Sequence, residues 1–404
     1  MLLKLAWRNI WRNKRRSFIV LISVVVGLAA IVLTDGLSNG MMSQMLFNQI
    51  NLDVSHLQIH KNGFDRNKIV KNFIPDYKHV ESTLQTNPEV EAYSKRVFAT
   101  GILSSASNSS GVIIYGINPD EESKVSIVKS SIINGKYLGS GKREIIIGKK
   151  LAEKLGVEVG DKIVAMSNTL KGDIGSDAFR IIGIFQTSSS GFDKMTVYVQ
   201  ALTEQEMLGI GDNYHEFAVI AKDYTKINLV KNNVETKLGS DYEVFTYRDL
   251  LPMLIYQMEL YKESMMILNV IIGLALIFGI INTMLMSVFE RIREFGVLMA
   301  IGMKNSRLYL MIVFEAFILG IFGTFVGLIC GLLLDIPLAH SGINLSIFAT
   351  GLESFGVGAV IYPVLSIGNL INAVLFMPFV AVVGALYPAY KAIKLEPIYA
   401  INYV

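Results

Sequence analysis

Four long apolar runs divide the chain, and each is long enough to cross a bilayer, which takes about 20 apolar residues. The run 264–289 contains no charged residue, and the run 308–334 contains one, Glu315. The first run ends near Asp35, and the last lies in an uncharged stretch that Pro363 and Gly368 interrupt. The pattern predicts transmembrane helices at 18–38, 264–289, 308–334 and 370–389.

Between the first two runs, residues 39–262 have the mixed pattern of a soluble domain, with turn signals such as Val159-Gly160-Asp161. Short runs rich in β-branched and aromatic residues predict strands at 54–60, 97–103, 112–117, 144–147, 162–166, 179–185, 195–199, 217–221 and 242–246. Helical patterns are found at 76–85, 149–155, 203–208 and 226–238. We therefore predict an α+β domain in which about 119–214 forms an inserted lobe.

Basic residues concentrate in the N-terminal segment 1–17, in the connection 290–307 and in the tail 390–404, whereas the loop 335–369 has no Lys or Arg. Because Lys and Arg accumulate on the cytoplasmic side, both termini and 290–307 are expected in the cytoplasm. The fold class predicted is a membrane protein with four transmembrane α-helices and a large α+β extracytoplasmic domain between helices one and two.

Composition supports a membrane protein over its alternatives. The chain has 404 residues, of which 18% are charged, against about 25% in soluble domains. Four buried helices would exceed what one soluble core needs. A cleavable signal peptide fits the first run less well than an uncleaved anchor, because the run is longer than a signal peptide's apolar region and lacks a small-residue cleavage site. The single cysteine, Cys330, predicts no disulfide framework.

Catalytic chemistry has no candidate residues in the sequence. It contains no P-loop, Gly-x-Ser-x-Gly, His-Glu-x-x-His or Cys-x-x-Cys motif. His56 and His60 share a strand face without a nearby acid or cysteine, so we predict no metal site. We accordingly predict no catalytic, cofactor-binding or metal residues and no nucleic-acid partner. A receptor would suit two spans around an outer domain, but the third and fourth spans argue against it.

Methionines mark the outer ends of the first two helices, which the topology brings together. The first helix carries Met41, Met42 and Met45 with Phe47, and the second carries Met258, Met265 and Met266. Methionine is flexible and suits surfaces that accept varied apolar ligands. Two interpretations stay open: packing filler where the helices leave the bilayer, or the wall of a cavity for acyl chains. Asp35, at the same level, would meet a polar head group or cap a helix end.

The connection 290–307 begins with a charged cluster, Glu290-Arg291-Ile292-Arg293-Glu294. Spacing alone fits either a juxtamembrane helix held by snorkelling arginines or a docking helix for a partner. Glu315, about two turns into the third helix, needs a hydrogen-bonding partner on a neighbouring helix. Gly323, Gly327 and Gly331 recur on one face and predict close helix packing, within the chain or between two copies.

Four segments resemble the MacB/FtsX/LolC superfamily of ABC-transporter permeases. "RIREFGVLMAIGMKNSRLYLMIVFEAFILGIFGTFVGLICGLLL", residues 291–334, resembles the family's cytoplasmic connection and following span. "GALYPAYKAIKLEPIYAINY", residues 384–403, resembles its ending. "GKKLAEKLGVEVGDKIVAM" and "FRIIGIFQTSSSGFDKMTVYV" resemble its outer domain. The order of one span, a large domain and three spans is most like the LolC/LolE lipoprotein-releasing permeases.

That resemblance implies a permease subunit in the cytoplasmic (inner) membrane, with the large domain in the periplasm. It would extract lipoproteins from the outer leaflet, driven by two copies of a separate ATPase that binds ATP and Mg. A second permease chain, identical or different, would complete the transporter, with membrane lipids and a periplasmic lipoprotein chaperone as further partners. Alternatives within the family are a MacB-like exporter of peptides or antibiotics and an FtsX-like regulator of a cell-wall hydrolase.

The resemblance also implies roles for particular residues. In these permeases the segment corresponding to 290–302 is a coupling helix that docks on the ATPase, and the methionine groups would line the lipoprotein cavity. One departure concerns 167–177, where the family's chaperone-binding loop usually carries prolines and this chain has none. The coupling residues expected are the polar Glu290, Arg291, Arg293 and Glu294, the apolar Phe295, Val297, Leu298, Ala300 and Ile301, and the glycines Gly296 and Gly302.

Overall fold

The computed structural model describes residues 2–12 and 14–394; of the predicted tail 390–404, residues 395–404 lie outside this part. The α-helices are α1 (Leu2–Arg12), α2 (Lys14–Gln49), α3 (Tyr77–Gln85), α4 (Pro119–Glu122), α5 (Lys149–Leu155), α6 (Ser190–Met195), α7 (Ala201–Leu208), α8 (Ile227–Leu238), α9 (Tyr247–Leu250), α10 (Pro252–Glu290), α11 (Ile292–Ala300), α12 (Asn305–Ser341), α13 (Ala349–Ser354) and α14 (Ile367–Ile393). The strands are β1 (Leu57–Lys61), β2 (Val90–Ser104), β3 (Ser109–Ile117), β4 (Ile132–Gly135), β5 (Glu144–Gly148), β6 (Lys162–Asn168), β7 (Ile174–Phe185), β8 (Thr196–Gln200), β9 (Glu216–Ala221), β10 (Tyr242–Thr246), β11 (Ile343–Asn344) and β12 (Val360–Ile361).

Four helices in the described part of the chain, α2, α10, α12 and α14, are long and apolar enough to cross a membrane. This confirms the predicted fold class, with the mixed α/β domain lying between the first of these helices and the other three. The helices extend beyond the predicted spans. A helix satisfies its own backbone hydrogen bonds, so it can continue past the apolar run into polar sequence, as α2 does up to Gln49.

The chain forms two compact units. The membrane unit contains the residues up to 43, residues 257–344 and the residues from 360 onward, and the inserted domain contains 44–256 together with 345–359. The predicted loop 335–369 is therefore not a simple loop, because its middle part packs into the inserted domain. Asn48 donates to the carbonyl of Gly356 at 2.9 Å, and the Ser190 hydroxyl donates to that of Glu353 at 3.4 Å.

One part of the inserted domain is a four-stranded antiparallel sheet, in the order β10–β1–β9–β2. Helices α3 and α8 supply Val80 and Val230 to the same buried cluster as Leu57 and Phe217 of the strands. Both helices were predicted, at 76–85 and 226–238, because their apolar residues recur at helical spacing. Asp76 caps α3 by accepting hydrogen bonds from the amides of Lys78 and His79.

The other part is a ring of six strands in the order β2–β3–β8–β5–β7–β6, which closes because β6 pairs back onto β2. Its core includes Leu103, Ile145, Phe179 and Val197. The ring starts before residue 119, since β3 and the end of β2 belong to it. The predicted lobe boundary at 119 is therefore wrong: the long strand β2 is shared between both parts of the sheet.

Arg96 of β2 ties the end of α2 into the inserted domain. Its guanidinium lies 2.7 Å from a carboxylate oxygen of Glu122 and 2.8 Å from one of Glu216. It also donates to the carbonyl of Asp53 at 2.6 Å, within the π-helical turn Ile50–Val54 that follows α2. Burial raises the pKa of Glu216 to about 7, although the charge of Arg96 opposes the shift. The cluster therefore joins the π-helical turn after α2 to β2, α4 and β9.

Glu204 of α7 is a buried acid without a visible partner. It is 0% exposed, and neither carboxylate oxygen forms a hydrogen bond with the described residues. Burial raises its pKa from 4.5 to about 8. The folded chain therefore holds a proton, between these two values, that the unfolded chain has released. Its stability should fall as the pH rises through this window and level off above about pH 8.

We predict that Glu204→Gln removes this pH dependence and raises the melting temperature most at pH 8. The difference between a pKa of 4.5 and one of about 8 corresponds to roughly 5 kcal/mol, so thermal melts of the purified chain from pH 5 to pH 8 should resolve the change. Glu206→Gln is the matched control, because Glu206 lies exposed on the same helix. If the melting temperatures of the wild type and Glu204→Gln changed with pH in the same way, Glu204 would already be ionised in the folded chain.

Candidate coupling segment and membrane cavity

Helix α11 is a short helix set between two spanning helices. It begins at Ile292, directly after α10 ends at Glu290, and it ends at Ala300. Gly302 has a φ of +97°, a conformation that L-residues with side chains rarely adopt. The backbone conformation of Gly302 thus explains the predicted helix end, and four residues, 301–304, separate α11 from α12.

The inner face of α11 is part of the membrane unit's core. Arg291 is 5% exposed and Phe295 is 1% exposed, and Ile292 and Gly296 are buried beside them. Arg291, Phe295 and Gly296, which were predicted as coupling residues, therefore face the core of the membrane unit. At 3.6 residues per turn these positions share one helix face, and that face packs inward.

Arg291 is the partner of the intramembrane acid Glu315. A guanidinium nitrogen of Arg291 lies 3.1 Å from a carboxylate oxygen of Glu315, and both side chains are buried. The same guanidinium lies 3.3 Å from Glu294 and 5.0 Å from the centre of the Phe295 ring. Glu294 also pairs with Arg12 of α1. The ion pair thus joins the start of α11 to α12, and the partner predicted for Glu315 comes from the connection 290–307.

The outer face of α11 carries the remaining predicted coupling residues. Val297 is 50% exposed and Ile301 is 76% exposed. Arg293 and Ala300 are exposed beside them, whereas Leu298 is half-buried and packs against the core. Glu290, Glu294 and Gly302 are also exposed. We call Arg293, Val297, Ala300 and Ile301 the outer face of α11; it is a mainly apolar exposed surface with one cation, Arg293.

The glycine ladder of α12 packs against α2 within the same chain. A Cβ on Gly323 would lie 2.8 Å from the Cβ of Val24, and a Cβ on Gly327 would lie 3.0 Å from the Cα of Val25. A Cβ on Gly331 would lie 3.0 Å from the Cβ of Val32. These distances leave no room for larger residues, so Gly323, Gly327 and Gly331 set the close approach of the two helices.

A cavity of about 700 Å³ lies in the membrane unit between α2, α10 and α14. Four of the predicted cavity residues line it: Met42, Met258, Met265 and Met266. Met41 does not line it, because it is one position off the helix face formed by Ile31, Asp35, Ser38 and Met42. Met45 and Phe47 do not line it either, since they lie farther along α2 in the inserted domain.

The cavity also has a polar wall, of which the sequence interpretation identified only Asp35. Asp35, Asn39, Lys262, Asn369 and Asn372 line it together with the methionines. Asp35 lies in the middle of α2, so it does not cap a helix end. The lining is therefore amphipathic rather than the apolar wall that the methionines alone suggested. Asn369 and Asn372 are three positions apart and therefore lie on one face of α14, which is a pattern that the sequence already contains.

Two polar contacts connect Ser38 of α2 with α10 beside the cavity. The Ser38 hydroxyl lies 3.4 Å from the Tyr261 hydroxyl, and it donates to the sulfur of Met265 at 3.6 Å. Three turns earlier on α2, a Cβ on Gly27 would lie 2.6 Å from the Leu276 side chain of α10. The two helices therefore approach closely at Gly27 and are joined by polar contacts at Ser38, with the cavity alongside.

Two protein-family models match the chain. The MacB-like periplasmic core domain matches residues 17–237, and the FtsX-like permease C-terminal domain matches residues 266–397. The first match covers more than half of the chain. It extends from α2 through the inserted domain to α8, and the second extends from α10 to the end of the described part.

Individual relatives are distant but extend along almost the whole chain. The macrolide export ATP-binding/permease protein MacB of Acinetobacter baylyi is 24% identical over 96% of this chain, which spans 57% of that protein. The lipoprotein-releasing system transmembrane protein LolC of Xylella fastidiosa is 23% identical, covering 97% of this chain and 96% of that protein. Among solved structures, the periplasmic region of MacB from Actinobacillus actinomycetemcomitans is 13% identical over 52% of this chain and 97% of that one, with a TM-score of 0.37.

Proposed function

This chain belongs to the MacB/FtsX/LolC superfamily of ABC transporter permeases, and on that premise we propose that it extracts lipoproteins from the outer leaflet of the cytoplasmic membrane. The observation that carries the proposal is the amphipathic cavity between α2, α10 and α14. Its methionines suit acyl chains of varied shape, and its polar wall, with Asp35, Asn369 and Lys262, suits the peptide at the acylated end. The match to LolC along almost its full length adds support.

Extraction needs an energy source that the cavity does not supply. An acyl chain in the bilayer is already in apolar surroundings, so its transfer into an apolar cavity gains little. Transfer onward toward water costs about 0.8 kcal/mol for each CH₂ that becomes exposed. We therefore propose that two copies of a separate ATPase subunit, which binds ATP and Mg, drive release. A second permease chain, identical or different, would complete the transporter.

We place the docking of that ATPase on the outer face of α11. Val297→Asp combined with Ile301→Asp should abolish co-purification of the ATPase, because an unpaired charge in a closed interface is strongly unfavourable. The permease itself should keep its thermal stability, since both side chains are exposed. Ser306→Asp is the matched control: it adds an acid to the same connection, at the exposed start of α12. Normal ATPase retention by the double variant would exclude this face as the docking site.

The proposed orientation has both termini and α11 in the cytoplasm and the inserted domain in the periplasm. Single cysteines at Ser140 and Ser306, in a Cys330→Ala background, test it because both positions are exposed. An impermeant thiol reagent applied to spheroplasts should label the cysteine at 140 and leave the one at 306 unlabelled. Labelling in the opposite order would reverse the orientation.

The segment 167–177 gives no support to chaperone recruitment. It forms the end of β6, a tight turn in which the amide of Thr169 donates to the carbonyl of Asp173 at 2.8 Å, and the start of β7. A hairpin this short offers no projecting loop. We therefore keep a periplasmic chaperone as a proposed partner of the system without assigning it to this hairpin.

Depletion of the chain from growing cells tests the proposed function. Outer-membrane lipoproteins should then accumulate in the cytoplasmic membrane fraction, and re-expression of the chain should clear them. The second candidate is export of antibiotics or peptides, which the match to MacB favours. Normal lipoprotein sorting together with new sensitivity to macrolides would select the exporter instead.

A further inference from the structure

A second groove in the membrane unit lies at the start of the chain, among residues that the cavity does not use. It has a volume of about 570 Å³, within the range of roughly 300–1,000 Å³ typical of small-molecule sites. Trp7 and Trp11 of α1, Phe18 of α2 and Phe322 of α12 line it. The Trp7 ring lies 6.0 Å from that of Trp11 and 5.9 Å from that of Phe322. The body of the groove is therefore aromatic and apolar.

Two cations lie at the same groove. Lys14 and Arg15, the first residues of α2, line it and are exposed. Neither forms an ion pair with the residues that the structure describes, and none of the lining residues is acidic. Arg12 differs, since it pairs with Glu294. The Ser17 hydroxyl of α2 donates to the carbonyl of Ile10 of α1 at 3.0 Å, and the two cations line the groove together with the aromatic side chains.

We propose that this groove binds an anionic phospholipid, with one acyl chain against the aromatic side chains and the phosphate between Lys14 and Arg15. Tryptophan is favoured at the level of lipid head groups. Basic residues at the same level attract anionic lipids, with each cation contributing about fivefold in affinity. The bilayer supplies this ligand at the place where α2 enters it, because α2 is a spanning helix.

The charge pattern favours a lipid over a protein occupant. A second copy of the chain or a partner helix would have to bring carboxylates to the mouth of the groove and an apolar ridge to its body. A single anionic lipid has both features in one molecule. Apolar contact alone does not select between lipids, since all of them carry similar chains, so the selection for an anionic head group must come from Lys14 and Arg15.

The chain contains two tryptophans, Trp7 and Trp11, and both line the groove. Tryptophan fluorescence of the full chain therefore reports on this groove. We would reconstitute the chain into phosphatidylcholine bilayers that contain a small fraction of either dibrominated phosphatidylglycerol or dibrominated phosphatidylcholine. Because bromine quenches indole only at contact, the anionic lipid should reach half-maximal quenching at a mole fraction on the order of tenfold lower.

In the double variant Lys14→Gln/Arg15→Gln, both brominated lipids should reach half-maximal quenching at the same mole fraction. The melting temperature of this variant should match that of the wild type. Lys304→Gln with Arg307→Gln is the matched control. It removes two exposed cations of the same unit that do not line the groove, and it should keep the preference. Equal quenching by both lipids in the wild type would overturn the proposal. A preference that survives in Lys14→Gln/Arg15→Gln, or an absence of quenching that indicates a protein occupant, would overturn it too.

Discussion

Arg291→Ala should prevent the chain from accumulating in the membrane. The substitution leaves the Glu315 carboxylate, which is 4% exposed, buried without its cation. Breaking a buried pair by removing one partner costs about 3–5 kcal/mol, a large part of the roughly 5–15 kcal/mol that stabilises a typical folded protein. The measurement is the amount of full-length chain in isolated membranes, together with its melting temperature in detergent.

Companion variants separate loss of the pair from loss of packing. Arg291→Met with Glu315→Leu removes both charges at similar volume and should restore much of the stability, because buried pairs are often replaceable by apolar residues. Arg291→Lys should rescue only in part, since a single ammonium does not reproduce the guanidinium's simultaneous contacts with Glu315 and Glu294. Wild-type levels of Arg291→Ala would mean that Glu315 has another partner.

An acid at the methionine side of the cavity should block lipoprotein release. Met42→Asp or Met265→Asp places a charge where the proposed acyl chains lie, and a charge without a partner in apolar surroundings is costly. Met42→Leu and Met265→Leu should be nearly silent, because volume-conserving apolar exchanges usually cost less than about 1.5 kcal/mol. The measurement is the share of an outer-membrane lipoprotein that remains in the cytoplasmic membrane when each variant replaces the wild type.

Met41→Asp is the matched control for these variants. Met41 is half-buried like Met42 and adjacent to it on α2, but it does not line the cavity. The proposal requires release to continue in Met41→Asp and to stop in Met42→Asp at equal protein levels. If the two variants behave alike, a general effect on α2 explains the loss, and the methionines carry no specific role in release.

The sequence predicted the parts of the fold that depend on local patterns of apolar and polar residues. Crossing a bilayer requires long apolar helices, so the four spanning helices were readable from the four apolar runs alone. The strands of the inserted domain followed from β-branched runs and turn residues, and the superfamily followed from the segment 291–334. These features are local in the sequence, because each depends on neighbouring residues only.

Features that depend on distant residues were harder to predict. The pattern around α11 contained a usable signal, since Ile292, Phe295 and Gly296 have the spacing of one buried helix face. The family resemblance nevertheless assigned Arg291 and Phe295 to the coupling surface. The polar wall of the cavity comes partly from Asn369 and Asn372 of α14, more than 300 positions from Asp35. Nothing near Glu204 indicates that its carboxylate is buried, and nothing in 345–359 indicates that it joins the inserted domain.

Photo-crosslinking from the cavity in living cells tests the central claim most directly. A photoreactive amino acid at Met265, which lines the cavity, should capture an acylated lipoprotein, and the adduct should disappear when ATP turnover is allowed. The same amino acid at Phe278, which is exposed on α10 but does not line the cavity, should capture none. Capture of only phospholipid or a neighbouring helix at Met265 would contradict the account, and so would equal capture of lipoprotein at Met265 and Phe278.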